Sequence, residues 1–422
     1  MRRLLVVTIL LGFFAVQPAS GQLLGYEVIH GDSSPANRFN IILLGDAWMK
    51  EQMAEYRQVC KNLVQGLLTE SPFFEYSHCF RILRLDVASR DNQVSYEGEP
   101  RRDTAFGITI GVDPATARPN GILWFPREYS LRVQYLNRVD YVLNCVPTAK
   151  TFNLVVVVAN TDHIAGTAVY NGIAVVTRNS RVQPQVFCHE VGHAMAQLEE
   201  EYTGNSCPPS SEPWQANATL DAGSNRFRPK WAHWMGTQGV STFLGGMGCS
   251  YGVLRPANDC MMNTTKPNVV AASGIFEPNI VPFCAVCRER IVQRLYDAVV
   301  PIESAVPSGS VTLRPFERAP TFKVTTVEGP RSELAVVWRL TQEGFFSNSY
   351  EYLSTTRVLK TAVGKTYELA LPFSLSSGFT YRLECFVSDE TPLVRKWPVP
   401  YRSTPADYRT YTKDWTIRVN NR

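Results

Sequence analysis

The sequence predicts a mixed α/β domain over residues 22–300 followed by an all-β sandwich over residues 301–422. Three observations carry this reading. Apolar runs of strand character alternate with a helix-spaced segment in the first part, and a helix-compatible stretch bears two histidines four residues apart. Beyond residue 300, short alternating segments are parted by turn residues.

The first residues, "MRRLLVVTILLGFFAVQPASGQ", give a basic pair, an apolar run from Leu4 to Val16 and the small residues Ala19-Ser20-Gly21. This is the layout of a secretory signal peptide over residues 1–21. The run is shorter than the roughly 18 to 20 residues that span a bilayer, so stable membrane insertion is not expected. The expected location is extracellular, or periplasmic in a bacterium. At 422 residues, 45% apolar and 19% charged, the chain has the composition of a globular protein. A formal net charge of +4 is too small and too mixed to point to nucleic acid. Ten cysteines in an exported chain favour structural disulfides, and Cys284-x-x-Cys287, with no second C-x-x-C, is read the same way.

"RFNIILLGDAW" is a buried strand closed by Gly45-Asp46. Met53, Tyr56, Cys60, Leu63 and Leu67 then recur at helical spacing. "FRILRLDVAS" alternates as a strand, and "NLVVVVAN" is a β-branched run suited to burial on both faces, so a largely parallel sheet is expected. "NGIAVVTRNS" is a further strand, and a helix begins near Pro184. From Glu212 to about Ala271 the chain is irregular, and "FCAVCRERIVQRLYDAVV" restores a helix. "PIESAVPSGS" reads as a linker. The segments "SVTLRPF", "TFKVTTVEG", "ELAVVWRLTQEG", "KTYELALPF", "TYRLECFVSD" and "DWTIRVNN" then suggest an immunoglobulin- or fibronectin-like module.

The helix after Pro184 carries His189-Glu190-Val191-Gly192-His193. Residues four apart share a helix face, so His189 and His193 can aim at one ion while Glu190 reaches a water on it. Neutral imidazoles suit Zn²⁺, which lowers the pKa of a bound water to about 7. Glu190 would act as general base toward that water as it attacks a carbonyl. A catalytic zinc takes three protein ligands, and Glu199, Glu200 and Glu201 each offer a carboxylate to complete the set. Tyr202 can bond a ligand carboxylate, stabilise an oxyanion or pack in the core. Asn217-Ala218-Thr219 matches a glycosylation sequon and is read as a chance match.

At these residues the sequence resembles the immunoglobulin-A-peptidase family of zinc metallopeptidases, which stand among or beside the metzincins. The family signature is H-E-x-G-H followed by L-x-D-E-Y; here the second part reads Leu198-Glu199-Glu200-Glu201-Tyr202, with Glu200 in place of the aspartate. "NRFNIILLGDAW", "RRDTAFGI", "KWAHW", "YGVLRPANDCMM" and "FCAVCRE" are similar to further family landmarks in the same order. The resemblance implies a metzincin-like domain, Glu200 as third ligand ahead of Glu201 and Glu199, and Met262 beneath the ion.

The function so expected is a secreted endopeptidase with one Zn²⁺ held by His189, His193 and Glu200. Glu190 is the general base, and the substrate is a protein or peptide. The β-sandwich would contact a glycan or a cell surface. The alternative is a non-enzymatic extracellular binding protein that keeps a peptidase-like fold.

Overall fold

The computed structural model describes residues 21–116, 118–169, 172–178, 183–263, 269–270, 276–277, 281–343, 351–357, 365–371, 373–394 and 410–421. The leader-like stretch over residues 1–20 lies outside them.

The first part runs β1 (Gln22–His30), β2 (Phe39–Asp46), α1 (Met53–Leu67), β3 (Phe80–Ala88), β4 (Ser95–Tyr96), β5 (Thr109–Asp113), β6 (Arg118–Trp124), α2 (Tyr129–Asn144), β7 (Leu154–Ala159), β8 (Gly166–Val169), β9 (Ile173–Thr177) and α3 (Gln183–Ala196). Six of these strands form one sheet in the order β1-β3-β2-β7-β9-β8. The inner four are parallel, and β1 and β8 lie antiparallel at the two edges. Both edge strands were absent from the sequence reading, because neither stands out as an apolar run.

Side chains alternate across a strand, and here both faces are covered. Ile41, Leu43, Val156, Val158 and Val176 face a core completed by Tyr56, Cys60 and Leu63 of α1 and Phe187, Val191 and Met195 of α3. Ile42, Leu44, Val155, Val157 and Val175 face a second core closed by Val139, Val142 and Leu143 of α2. The alternating charges of β3 are not solvated: Arg84 and Asp86 are buried as a pair at 2.7 Å. The edge strand β1 supplies Glu27, 2.8 Å from Arg84, so the charges are compensated rather than solvated.

Two of the similar segments noted in sequence prove to be one structure. Asp46, fully buried at the end of β2, accepts backbone N–H bonds from Phe106 at 2.7 Å and Ile108 at 2.9 Å, and a bond from the Thr104 hydroxyl at 3.2 Å. Burial pushes its carboxyl up and these donors oppose the shift, leaving it at about 6.

The irregular stretch contains β10 (Thr219–Leu220), β11 (Phe243–Gly246) and β12 (Cys249–Arg255) in a small sheet, then the short pair β13 (Val269–Val270) and β14 (Phe276–Glu277). α4 (Ala285–Tyr296) follows and packs on α3. All ten cysteines are free thiols, which corrects the expected disulfides. Cys60, Cys79 and Cys188 are buried in one apolar core and Cys385 in another, where they serve as small hydrophobes.

Past residue 300 the strands are β15 (Ile302–Val306), β16 (Val311–Leu313), β17 (Phe322–Thr326), β18 (Leu334–Glu343), β19 (Glu351–Arg357), β20 (Thr366–Leu369), β21 (Thr380–Asp389) and β22 (Thr410–Val419). The segment read as a linker is therefore a strand, since Ile302–Val306 pairs with β17. The sheets β15-β17-β20 and β16-β22-β21-β18-β19 share a core in which Phe322, Trp338 and Trp415 pack together. The molecule is thus a mixed α and β protein with several sheets and few helices. Among the described residues, no helix is long and apolar enough to cross a membrane.

The C-terminal strands are joined to the first part through buried polar contacts. The phenols of Tyr76 and Tyr296 both donate to Asp389 Oδ2 at 2.5 Å, and Tyr411 donates to the Tyr296 carbonyl at 2.8 Å. Removing a buried charged acceptor from two donors costs about 3 kcal/mol. Asp389→Ala is therefore expected to lower unfolding free energy by about that amount in a denaturant titration. A change below about 0.5 kcal/mol would show that this junction does not hold the two parts together.

Candidate metal centre

α3 begins beside Pro184, whose ring suits a first helical turn, and carries the histidines on one face. His189, Glu190 and His193 are each 6–7% exposed. The ring orientations follow from their hydrogen bonds. His189 Nδ1 lies 2.9 Å from the Met261 carbonyl and His193 Nδ1 lies 2.7 Å from the Leu198 carbonyl. A carbonyl can only accept, so each Nδ1 carries a proton, and in the neutral ring Nε2 holds the lone pair, turned toward the centre. Those two Nε2 atoms are 3.0 Å apart. Two lone pairs at that separation repel, and a cation between them removes the repulsion.

The helix ends in a way that returns an acid to this point. Gln197 takes the left-handed conformation at φ 56°, as residues just past a helix often do, and its N–H bonds to the His193 carbonyl at 2.9 Å. The chain doubles back and places Glu200 Oε1 3.1 Å from His193 Nε2 and Oε2 3.2 Å from His189 Nε2. The three donor groups lie within 4.8 Å of one another. Two imidazole lone pairs and a carboxylate are a donor set that fits a divalent transition ion such as zinc.

The three neighbouring acids have three different surroundings. Glu199 accepts from Gln215 Nε2 at 2.8 Å, away from the imidazoles. Glu201 is fully buried among Cys260, Cys284 and Cys287. Only Glu200, of the three, meets the histidines. Asn217 fixes this turn: its amide accepts from the Glu199 N–H and donates to the Glu199 carbonyl and to Glu201 Oε1, at 2.8, 2.8 and 3.0 Å. It is fully buried, so the sequon it begins is not a surface site. In sequence nothing but that sequon drew attention to it.

Glycines permit two close approaches. A Cβ on Gly192 would lie 2.9 Å from Met262 Sδ and 3.1 Å from Phe283, so the buried Met262 packs directly beneath the helix between the two histidines. A Cβ on Gly166, at the start of β8, would lie 2.4 Å from Glu190 Oε1. Gly166 therefore makes room for the Glu190 carboxylate, a role the sequence reading missed. Tyr202 is 44% exposed, which argues against core packing, and its phenol lies in the field of the Glu200 carboxylate. Burial and the Glu200 charge push that phenol up to about 12. His163 is exposed, edge-on to Tyr96, and His233 pairs with Glu289 at 2.6 Å. Neither is part of the centre.

Electrostatics in the chain alone show the same demand for positive charge. Burial pushes Glu200 up, but hydrogen bonds and charge from both imidazoles outweigh it and hold the carboxyl at about 2. Burial lowers His189, and Glu200 more than reverses this, to about 9. Burial also raises Glu190, against the pull of both imidazoles.

A helix with paired histidines and a buried acid, faced by a second acid on a returning chain, defines a metallopeptidase type of site. Residues 28–240, about half of the chain, match the family described as IgA Peptidase M64, and the chain belongs to that family of peptidases. Among curated proteins no match was found. Among solved structures, the crystal structure of wild-type OgpA from Akkermansia muciniphila matches 91% of this chain and 93% of that one, at 10% identity and a TM-score of 0.25. Similarity that low bears on neither fold nor function.

The shift on His189 sets a pH dependence for metal-free protein. Its folded pKa of about 9 lies above the ordinary 6.5, so the stabilising contribution is complete below about pH 6.5 and is lost as pH rises through about 9. Chelator-treated protein is expected to lose Tm over that window. Metal-loaded protein should hold or gain stability there, because ligand deprotonation favours metal binding. Parallel pH profiles for the two forms would contradict this arrangement.

Proposed function

We propose that this chain is a secreted zinc-dependent endopeptidase in which His189, His193 and Glu200 hold one zinc ion and Glu190 is the general base. The observation that carries the reading is the convergence of both Nε2 atoms and the Glu200 carboxylate on one point, with Glu190 on the same helix. Zinc in such a set supplies Lewis acidity that polarises a carbonyl and brings a water's pKa toward neutrality. Glu190, buried and raised in pKa, takes the proton from the attacking water and delivers it to the leaving amine. Its position is set by α3 on one side and by Gly166 on the other. β8 ends the sheet, so an extended substrate laid along that strand passes Glu190. Tyr202, partly exposed and two residues beyond Glu200, orients the ligand carboxylate.

The same proposal takes residues 22–300 as a metzincin-like peptidase domain and residues 301–422 as an immunoglobulin-like sandwich that contacts a glycan or cell surface. The leader-like residues 1–21 support export. Family membership supports peptide hydrolysis.

Purified protein incubated with a proteome-derived peptide library should produce internal cuts that a chelator abolishes. A library left uncut by zinc-loaded protein would instead favour a binding protein. Glu190→Gln is expected to lower kcat by about 10²–10⁴ while zinc content is kept; full activity in that variant would remove Glu190 from the mechanism. Glu200→Ala should lose the ion held by the histidines and Glu199→Ala should keep it, as read by metal analysis. The reverse result would reassign the third ligand. Gly166→Ala, by displacing the Glu190 carboxylate, should reduce kcat about 10²-fold with zinc binding retained.

A further inference from the structure

Behind the turn that carries Glu200, three cysteines and Glu201 meet in the interior. Cys260 lies at the end of the small-sheet region, and Cys284 and Cys287 lie at the start of α4, Cys284 as its N-cap. Cys260, Cys287 and Glu201 are fully buried and Cys284 is 8% exposed. Their ligand atoms all lie within 4.8 Å of one another. The geometry points to a second metal site, a closed structural zinc held by the thiolates of Cys260, Cys284 and Cys287 and the carboxylate of Glu201.

The distances argue for an ion rather than a disulfide. Cys260 Sγ and Cys287 Sγ are 3.8 Å apart. A disulfide requires about 2.05 Å, whereas a tetrahedral zinc with bonds of about 2.3 Å sets its sulfurs about 3.8 Å apart. Cys287 Sγ is 3.1 Å from Glu201 Oε1, near the edge length of about 3.5 Å for a mixed sulfur and oxygen tetrahedron.

A second observation comes from the carboxylate. Glu201 Oε1 accepts from Asn217 and from the Cys287 thiol, but Oε2 is buried with no hydrogen-bond partner. A fully buried carboxylate with an unsatisfied oxygen, facing three sulfurs, is costly without a cation. Thiolates and one carboxylate select zinc among common divalent ions, and binding releases the thiol protons. The α4 N-terminus directs its N–H dipoles toward the sulfurs, and the Cys284 N–H reaches Cys260 Sγ at 3.3 Å.

The site would act on the first one through the backbone. The Glu201 N–H donates to the Met262 carbonyl at 2.8 Å, and the Met261 carbonyl accepts from His189. Glu201 follows Glu200, and Cys260 precedes Met261. An ion tying Glu201 to Cys260 and to α4 therefore fixes the returning acid and the methionine turn together beneath the histidines.

The test separates the two ions. The full-length chain, purified reduced with zinc present and dialysed, should hold about two zinc ions. His193→Ala should retain about one, and its cobalt-substituted form should show a thiolate-to-cobalt charge-transfer band. Adding Cys287→Ser to His193→Ala should remove that band and the remaining ion. Should that double variant fail to fold, alkylation of His193→Ala decides: Cys260, Cys284 and Cys287 should be protected with zinc bound and labelled after chelation. A His193→Ala chain without tightly held metal, a cobalt form without the thiolate band, or a disulfide among the three cysteines would overturn the proposal. Because no readout is peptidase activity, the result stands whether or not the chain cleaves peptides.

Discussion

The structure around α3 depends on one electrostatic constraint: two imidazole Nε2 atoms are held 3.0 Å apart with the Nδ1 protons committed to carbonyls on the far sides of the rings. The proton positions are imposed from outside the helix, by Met261 and by Leu198. Each partner must be carried to its place by a different part of the chain. Leu198 arrives through the left-handed turn at Gln197, and Met261 arrives because Gly192 leaves room for Met262 to press against the helix. The repulsion thus built is relieved by positive charge, and Glu200 increases the attraction for it.

The wider fold supplies rigidity to that arrangement. α3 lies on a sheet whose inner strands are buried on both faces, between α1 and α4. A close-packed support of this kind resists small displacements, which is what a site defined by contacts of about 3 Å requires. The C-terminal sheets also belong to this support. Asp389 gathers phenols from the segment before β3 and from α4, and Val327 and Val394 enter the same apolar core as α3.

The run Glu199-Glu200-Glu201 shows how identical side chains acquire different chemistry. Past the chain reversal at Gln197 each meets a different neighbour, and burial then decides the rest. Glu199 meets an amide, Glu200 two imidazoles, and Glu201 three sulfurs. Asn217 holds the segment in this register through both backbone atoms of Glu199. Repulsion among three adjacent carboxylates is avoided because each has its own environment.

Much was legible in the sequence. Helical spacing alone places His189, Glu190 and His193 together, since those contacts are local and follow from the period of the helix. The β-branched runs foretold β2, β7 and β9, and the alternation past residue 300 foretold most C-terminal strands. What lacks a local signature was not legible. β1 and β8 are edge strands of mixed composition, and the charges on β3 are buried because a distant strand pairs them. Cys284-x-x-Cys287 was read as structural disulfide cysteines from the exported context and the lack of a second C-x-x-C, and the nearness of Cys260 and Glu201, distant in sequence, had no local signature. By itself, the sequence determined that one helix face carries two histidines with an acid beside them. Tertiary structure decided which acid faces it, since three adjacent glutamates are equivalent until a chain reversal at Gln197 and a buried Asn217 assign each a side.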